Sequence, residues 1–279
     1  NSNALIVMRA HNVEHLIWDR IAKKTKFPPK KWYLNHLVRT LKEYELSVLD
    51  EVDGIAAITY RDAAFFRGKT ATPVIDIPYG VEPDKFTPSY EVKEKPSFYH
   101  IGSMNWMPNE EGIKWFLNNV WDNFIKKEPD AHLHLAGRHM PKWLIKTKKT
   151  NVHVLGEVDD AQEFIKDNDI AIVPLLSGSG IRIKIIESMA MGKTVITTMI
   201  GAEGIQYSEY DNIIIADEAA KMTETMCKMR REPQEAERIG RSARKLVEHI
   251  YDNKKIIDRL LIFYDEIGKD KKDISYIKQ

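Results

Sequence analysis

The chain is nearly devoid of cysteine: Cys227 stands alone among 279 residues. An intrachain disulfide and a multi-cysteine zinc site are both excluded. A reducing compartment is the natural reading. Excess charge is lacking as well. Lys and Arg number 42 against 41 Asp and Glu, a formal net of +1. Bulk charge therefore selects no partner, and nucleic acid is not expected. Long apolar runs are missing too. Stretches such as Leu5-Ile6-Val7-Met8 and Ile170-Ala171-Ile172-Val173 are short, far below the roughly 20 residues that span a bilayer. The apolar start is also too short, and lacks the basic leader, for a secretory signal. A cytoplasmic protein is the expectation. What the chain does have is 43% hydrophobic and 30% charged residues, enough for a large core and about two domains.

Organisation along the chain is regular after an abrupt start. Asn1-Ser2-Asn3-Ala4 reads as an arbitrary beginning, and Leu5–Met8 as a buried strand. Such a strand needs neighbours, so an incomplete first domain is expected. A helix over 13–24 is broken by Pro28-Pro29, and a second spans 31–52 with apolar residues at helical spacing. Strands follow at 54–59 and 74–77, separated by a short helix. The polar stretch Lys85–Pro96 reads as a linker. Beyond it, strands at 97–101, 131–136, 152–155, 170–174, 194–198 and 212–215 alternate with helices at 109–127, 141–146, 161–166, 183–191 and 218–231. Helices over 234–250 and 253–267 follow, and the Lys/Asp-rich tail after Gly268 is expected to fray. This alternation predicts an α/β fold with a parallel sheet covered on both faces.

The segment from Ile172 to Lys193 carries the most chemistry. A strand ends at Pro174-Leu175, and the small loop Ser177-Gly178-Ser179-Gly180-Ile181 opens directly into a helix. Backbone N–H groups of such a loop, with the dipole of the helix behind them, suit an anion. Arg182 and Lys184 sit where that dipole disfavours cations by about 0.3–1 kcal/mol. A phosphate bound between them would explain their placement. Glu187, one turn further, can accept two hydrogen bonds from a ribose diol at a strand's carboxyl edge. A surface turn with solvated charges is the plainer alternative.

This stretch, Gly178-Ser179-Gly180-Ile181-Arg182-Ile183-Lys184-Ile185-Ile186-Glu187 through Ile196, resembles the donor-binding segment of GT-B glycosyltransferases of family 4, the retaining group 1 type. Gly201-Ala202-Glu203-Gly204-Ile205 is similar as well. Gly102-Ser103-Met104-Asn105-Trp106-Met107-Pro108-Asn109 resembles the loop after the first strand of their C-terminal Rossmann domain. Leu135-Ala136-Gly137-Arg138 and Leu155-Gly156-Glu157-Val158 fall at the next two strand ends. Pro78-Tyr79-Gly80-Val81-Glu82 with Phe86-Thr87-Pro88 resembles the interdomain hinge.

The resemblance implies two Rossmann-like lobes: a partial acceptor-side lobe over 1–76, a nucleotide-sugar lobe over 77–252, and a helix and tail over 253–279 returning to the first lobe. It implies sugar transfer from a UDP- or GDP-linked donor to a saccharide or lipid-linked acceptor, with retention and without a metal or other cofactor. Glu187 matches the second Glu of the family's paired motif, but the first falls on Ser179, a departure. The Arg and Lys that members carry after the first strand are replaced by Ser103 and Asn105. Lys184 with Arg182 or Arg138 is expected to take over that charge, and Gly102, Gly178, Gly180 and Ile181 to shape the pocket. His11, after the first strand, matches the His that members place near the donor sugar; a structural role is the alternative. His15, one helical turn after His11, could pair with it on a metal, but no third ligand is evident. A non-catalytic nucleotide-sugar binder and another GT-B enzyme, such as a nucleotide-sugar epimerase, stay open as alternatives.

Lys23, Lys24, Lys26, Lys30 and Lys31 cluster around Phe27, with Trp32 and Tyr33 adjacent. Two readings stand: a solvated face, or a peripheral contact with an anionic membrane surface such as the inner face of the membrane. Trp115, Trp121 and Trp143 read as core or helix-face residues, and Trp106 falls in the candidate site loop.

Overall fold

A computed structural model describes residues 4–90, 93–178 and 180–277, with side chains through residue 269. It divides into two compact units: Asn1–Tyr79 with Ser179–Ile181 and Lys254–Gln279, and Gly80–Gly178 with Arg182–Asn253.

The first unit is built on a parallel sheet of β1 (Val7–Ala10), β2 (Gly54–Ala57) and β3 (Val74–Asp76), in that order. Its helices are α1 (Glu14–Lys24), α2 (Pro28–Ser47, closed by a 3₁₀ turn at Val48–Glu51) and α3 (Tyr60–Arg67). Val13, Leu49, Ile55, Ala57, Ala63 and Phe66 form its core. Thr59 caps α3 by accepting the Asp62 N–H at 3.0 Å, as hydroxyl residues commonly do.

Three expectations are corrected here. The first strand is not Leu5–Met8 but Val7–Ala10. Ile6 is exposed, its N–H donating to Asp53 Oδ2 at 2.8 Å. Among the described residues β1 pairs with β2 alone, and the expected burial is partial: Ala10 is buried, Val7 and Met8 are half-buried and Arg9 is exposed. Pro28 and Pro29 start α2 instead of standing apart from it: the first helical turn has no N–H to lose and welcomes their fixed φ.

The second unit carries a six-stranded parallel sheet. In chain order come β4 (Phe98–Ile101), α4 (Met107–Phe116), a π-helical turn (Leu117–Trp121), α5 (Asp122–Phe124), β5 (Leu133–Ala136), α6 (Lys142–Ile145), β6 (Val152–Gly156), α7 (Ala161–Asp167), β7 (Ile170–Val173), α8 (Ile183–Ala190), β8 (Thr194–Thr197), β9 (Ile214–Ile215), α9 (Ala219–Arg231) and α10 (Pro233–Ile250). The strand order is β6-β5-β4-β7-β8-β9. Strands β7 and β8 are buried along their whole length, as central parallel strands are. Phe98, Phe116, Leu117, Trp121, Phe124, Leu133 and Ile172 lie in the core between sheet and helices.

The single helix expected over 109–127 is interrupted by the π turn. That turn inserts a residue into the helix, and Leu117, Val120 and Trp121 within it are buried. Trp143 is exposed at the surface, its indole N–H donating to Glu110 at 2.8 Å, and is not a core residue. The expected linker Lys85–Pro96, whose residues 91–92 lie outside the described residues, is fastened to the second unit. The buried Arg244 guanidinium of α10 donates to the carbonyls of Pro83, Phe86 and Ala190, and the Ser89 N–H donates to Met191.

The last helix, α11 (Asn253–Ile277), continues through the tail that was expected to fray. In the first unit, Ile256 packs with Ala56 and Ile77, Phe263 and Ile267 close over Gly54, and Arg259 donates to the Asp76 carboxylate at 3.2 Å. No helix among the described residues is long and apolar enough to cross a membrane.

Trp121 is fully buried and its Nε1–H donates to the Thr150 carbonyl at 2.9 Å. Trp121→Ala is expected to cost about 3–5 kcal/mol of stability, read from the denaturant midpoint. A loss below about 1 kcal/mol would show that Trp121 is not the core residue its burial implies.

Candidate functional site

The strand order of the second sheet reverses between β4 and β7. In open α/β sheets the crevice at such a point, at the strands' carboxyl ends, is where ligands bind. The residues after β4 lead into α4, and those after β7 lead into α8. A small cleft of about 40 Å³ lined by Ile170 and Thr194 lies at the opposite, amino ends of the strands and is therefore not this crevice.

Lys184, in the first turn of α8, turns its side chain back to the end of β4. Its Nζ donates to Asn109 Oδ1 at 2.7 Å and stands 3.5 Å from His100 Nε2. A Cβ at residue 102 would overlap this amine, so glycine is what lets it approach. Asn109 Nδ2 donates in turn to the Ser103 carbonyl at 2.8 Å, and the Ser103 hydroxyl donates to Asn105 Oδ1 at 2.8 Å. His100 is buried and its Nδ1–H donates to the Ile172 carbonyl at 2.8 Å. That bond sets the tautomer and presents the Nε2 lone pair to Lys184.

The electrostatics follow from enclosure. Burial, then the Lys184 charge, hold His100 well below its ordinary pKa, so the ring is neutral near pH 7. Burial, then Arg182, bring the Lys184 amine down to about 7, with Glu187 opposing. Glu187, half-buried in the next turn, is pushed up by burial and pulled down by Lys184. Arg182 is the buried residue that precedes α8. Its guanidinium lies 5.4 Å from the centre of the Trp106 ring, a cation–π contact. Burial lowers its pKa, with Glu203 opposing. Gly178, at φ +115°, leaves room for both partners. An added negative ligand is what such a cluster of partly desolvated cations favours.

Of the residues expected from sequence, the structure brings Gly102, Ser103, Asn105, Gly178, Arg182, Lys184 and Glu187 to this crevice. The Gly102 N–H is already given to the Ala136 carbonyl, so Gly102 supplies space and not an amide. Arg138 is exposed and paired with Glu157 at 2.6 Å; the expectation that it joins Lys184 is corrected. Gly180, at φ +82°, and Ile181 are counted with the first unit. Ser179 lies outside the described residues.

His11, also in the first unit, is exposed just beyond β1. Glu45 of α2 accepts the N–H groups of Glu14 and His15 at 2.8 and 3.3 Å, capping α1, and its Oε2 lies 2.5 Å from His15 Nδ1. His15 is thus buried against Glu45 and is not a partner of His11. The described residues hold no group of three or more His, Cys, Asp or Glu arranged for a metal.

Sequence reasoning missed His100 and Asn109. The signal for His100 was visible: a lone polar residue in an apolar strand is normally buried with partners. Asn109 gave none, because its role needs Lys184 from 75 positions away.

Residues 95–232 match the family described as Glycosyl transferases group 1. Over this segment the chain is similar to the group 1 glycosyltransferases, and its fold is of the GT-B class. An uncharacterized 44.6 kDa protein in the cps region of Klebsiella pneumoniae is 26% identical over 170 residues, covering 57% of this chain and 44% of that protein. The sucrose-phosphate synthase of Thermosynechococcus elongatus superposes with a TM-score of 0.69 at 14% identity, covering 95% of this chain and 68% of that one. Anabaena HepE in complex with UDP and glucose gives 0.63 at 14% identity, covering 94% and 71%. The structure of TarM gives 0.65 at 16% identity. The chain spans 44% of the Klebsiella protein and 46% of TarM.

Asn109 is buried and both accepts from Lys184 and donates to Ser103. Asn109→Ala is expected to cost about 1–3 kcal/mol, measured by chemical denaturation. An unchanged midpoint would mean that the amine does not depend on that amide.

Proposed function

We propose that the second unit binds the diphosphate of a nucleotide-sugar and that the protein transfers the sugar to an acceptor. The carrying observation is the Lys184 amine held at the reversal of the strand order by Asn109 and His100. The reading is supported by the family of residues 95–232 and by the UDP and glucose bound to HepE. UDP or GDP as carrier, family 4 membership and retention at the anomeric carbon belong to this proposal. So does a saccharide or lipid-linked acceptor.

In the proposed reaction the bond between the anomeric carbon and the diphosphate oxygen breaks, and negative charge grows on the diphosphate. Lys184, with Arg182 beside it, meets that charge from fixed positions. Removing such a preorganised partner costs about 3–4 kcal/mol of transition-state stabilisation in comparable sites. These cations can do the work elsewhere done by a metal, which is why transfer without one is proposed. Glu187 accepts from ribose hydroxyls, and the loop around Ser179 takes the place of the missing first carboxylate. His11 hydrogen-bonds a hydroxyl of the sugar. Ser179 where relatives of this type have Glu also favours a second reading, a nucleotide-sugar binder without catalysis. Release of sugar from a donor panel, with acceptor present, separates the two.

Calorimetric titration of UDP and GDP tests the binding step. Lys184→Ala is expected to weaken the preferred diphosphate at least tenfold, while His11→Ala leaves nucleotide affinity unchanged and lowers turnover. Equal affinity in Lys184→Ala would remove the assignment.

The pH dependence has a defined sign. An anion favours the ammonium form of Lys184, whose pKa is about 7 without ligand. Nucleotide-sugar affinity is therefore expected to rise as the pH falls from about 9, to level off below about 7, and to be flat in Lys184→Ala. Affinity that rises with pH would contradict it.

A further inference from the structure

The first unit carries a surface that the transfer reaction leaves unused. From Arg20 to Lys42 the chain has Arg20, Lys23, Lys24, Lys26, Lys30, Lys31, Arg39 and Lys42 and no acidic residue. In a chain of formal net charge +1 this is a strong segregation of charge. Among the described residues Lys24, Lys26, Lys30 and Lys31 make no ion pair, while Lys23 is engaged by Asp19 at 2.6 Å.

The structure folds this segment into a corner. Helix α1 ends at Lys24, and α2 begins at Pro28. Ala22 and Leu34 are buried, while every residue from Lys26 to Tyr33 is exposed. Phe27, Trp32 and Tyr33 are 64%, 73% and 58% exposed. In α2, Leu34 is the one fully buried residue. Three large rings standing in water cost hydrophobic free energy, and four unpaired ammonium groups around them repel one another.

A partner that relieves both must be apolar inside and negative outside. An anionic lipid surface has that layering: rings with polar tips settle at the headgroup boundary, and lysines reach to the phosphates above them. A protruding corner also enters such a surface without needing a matching groove. We propose that the α1–α2 corner, Lys24–Tyr33, is an interfacial membrane anchor that inserts Phe27, Trp32 and Tyr33 among anionic lipids.

Co-sedimentation of the 279-residue chain with vesicles tests this. Phosphatidylcholine vesicles containing about one third phosphatidylglycerol are expected to bind it, and pure phosphatidylcholine vesicles to bind far less. The triple variant Lys26→Gln, Lys30→Gln, Lys31→Gln is expected to lose about fivefold in partition per lysine removed, and raised salt to do likewise. The double variant Phe27→Ala, Trp32→Ala keeps every charge and is expected to lose at least tenfold. All five positions are exposed, so unchanged melting temperatures confirm that the variants fold. Quenching of tryptophan fluorescence by acyl-brominated lipid is expected in the parent and to fall in Trp32→Phe. Equal partition onto neutral and anionic vesicles would overturn the proposal. So would full retention by the ring-deleted variant, which would turn the surface over to an acidic protein partner.

Discussion

A lysine amine is kept at the seam of the second sheet, and much of the surrounding sequence exists to permit it. Lys184 starts from a helix that follows β7, yet its charge is delivered to the end of β4. This requires a residue without Cβ at 102, an amide oxygen at 109 to accept a hydrogen bond, and a neutral imidazole at 100. It also requires the two strands to be neighbours, which holds where the sheet order turns round. The result is a partly desolvated cation that a diphosphate would complete. Within the unit, Arg182 stacked on Trp106 adds a second positive group, and the glycine at 178 makes room for it.

The regular part of the fold was legible because burial on both faces imposes a simple pattern. Ile170–Val173 and Thr194–Thr197 are apolar or β-branched at every position, and both are central strands. The deviations share a cause, which is that local pattern carries no information about distant partners. The π turn at Leu117–Trp121 interrupts a stretch whose apolar spacing reads as one continuous helix. Polar composition suggested a linker at Lys85–Pro96, but Arg244, more than 150 positions away, holds its first residues. Prolines read as a break became a helix start, because their penalty depends on which turn they occupy.

The two units carry separable chemistry. Charge at the crevice is buried, sparse and coupled through hydrogen bonds, so its strength depends on enclosure. Charge on the α1–α2 corner is dense, exposed and unpaired, so its strength depends on salt and on what it meets. Summing both with the rest of the chain gives a near-zero net charge that hides each of them. Composition alone is therefore a poor guide to electrostatic function here, while position is a good one.

By itself the sequence determined the class of fold, the glycine-rich turn, and the presence of Arg182, Lys184 and Glu187 near a helix start, because these are set by periodicity and by neighbours within a few residues. Tertiary structure alone decided which of the cations are enclosed, that Arg138 turns to Glu157, and that His15 belongs to Glu45. It also brought His100 and Asn109 to the amine. The reason is physical: a side chain's charge state and partner depend on burial and on groups far along the chain, and neither exists until the sheet has closed.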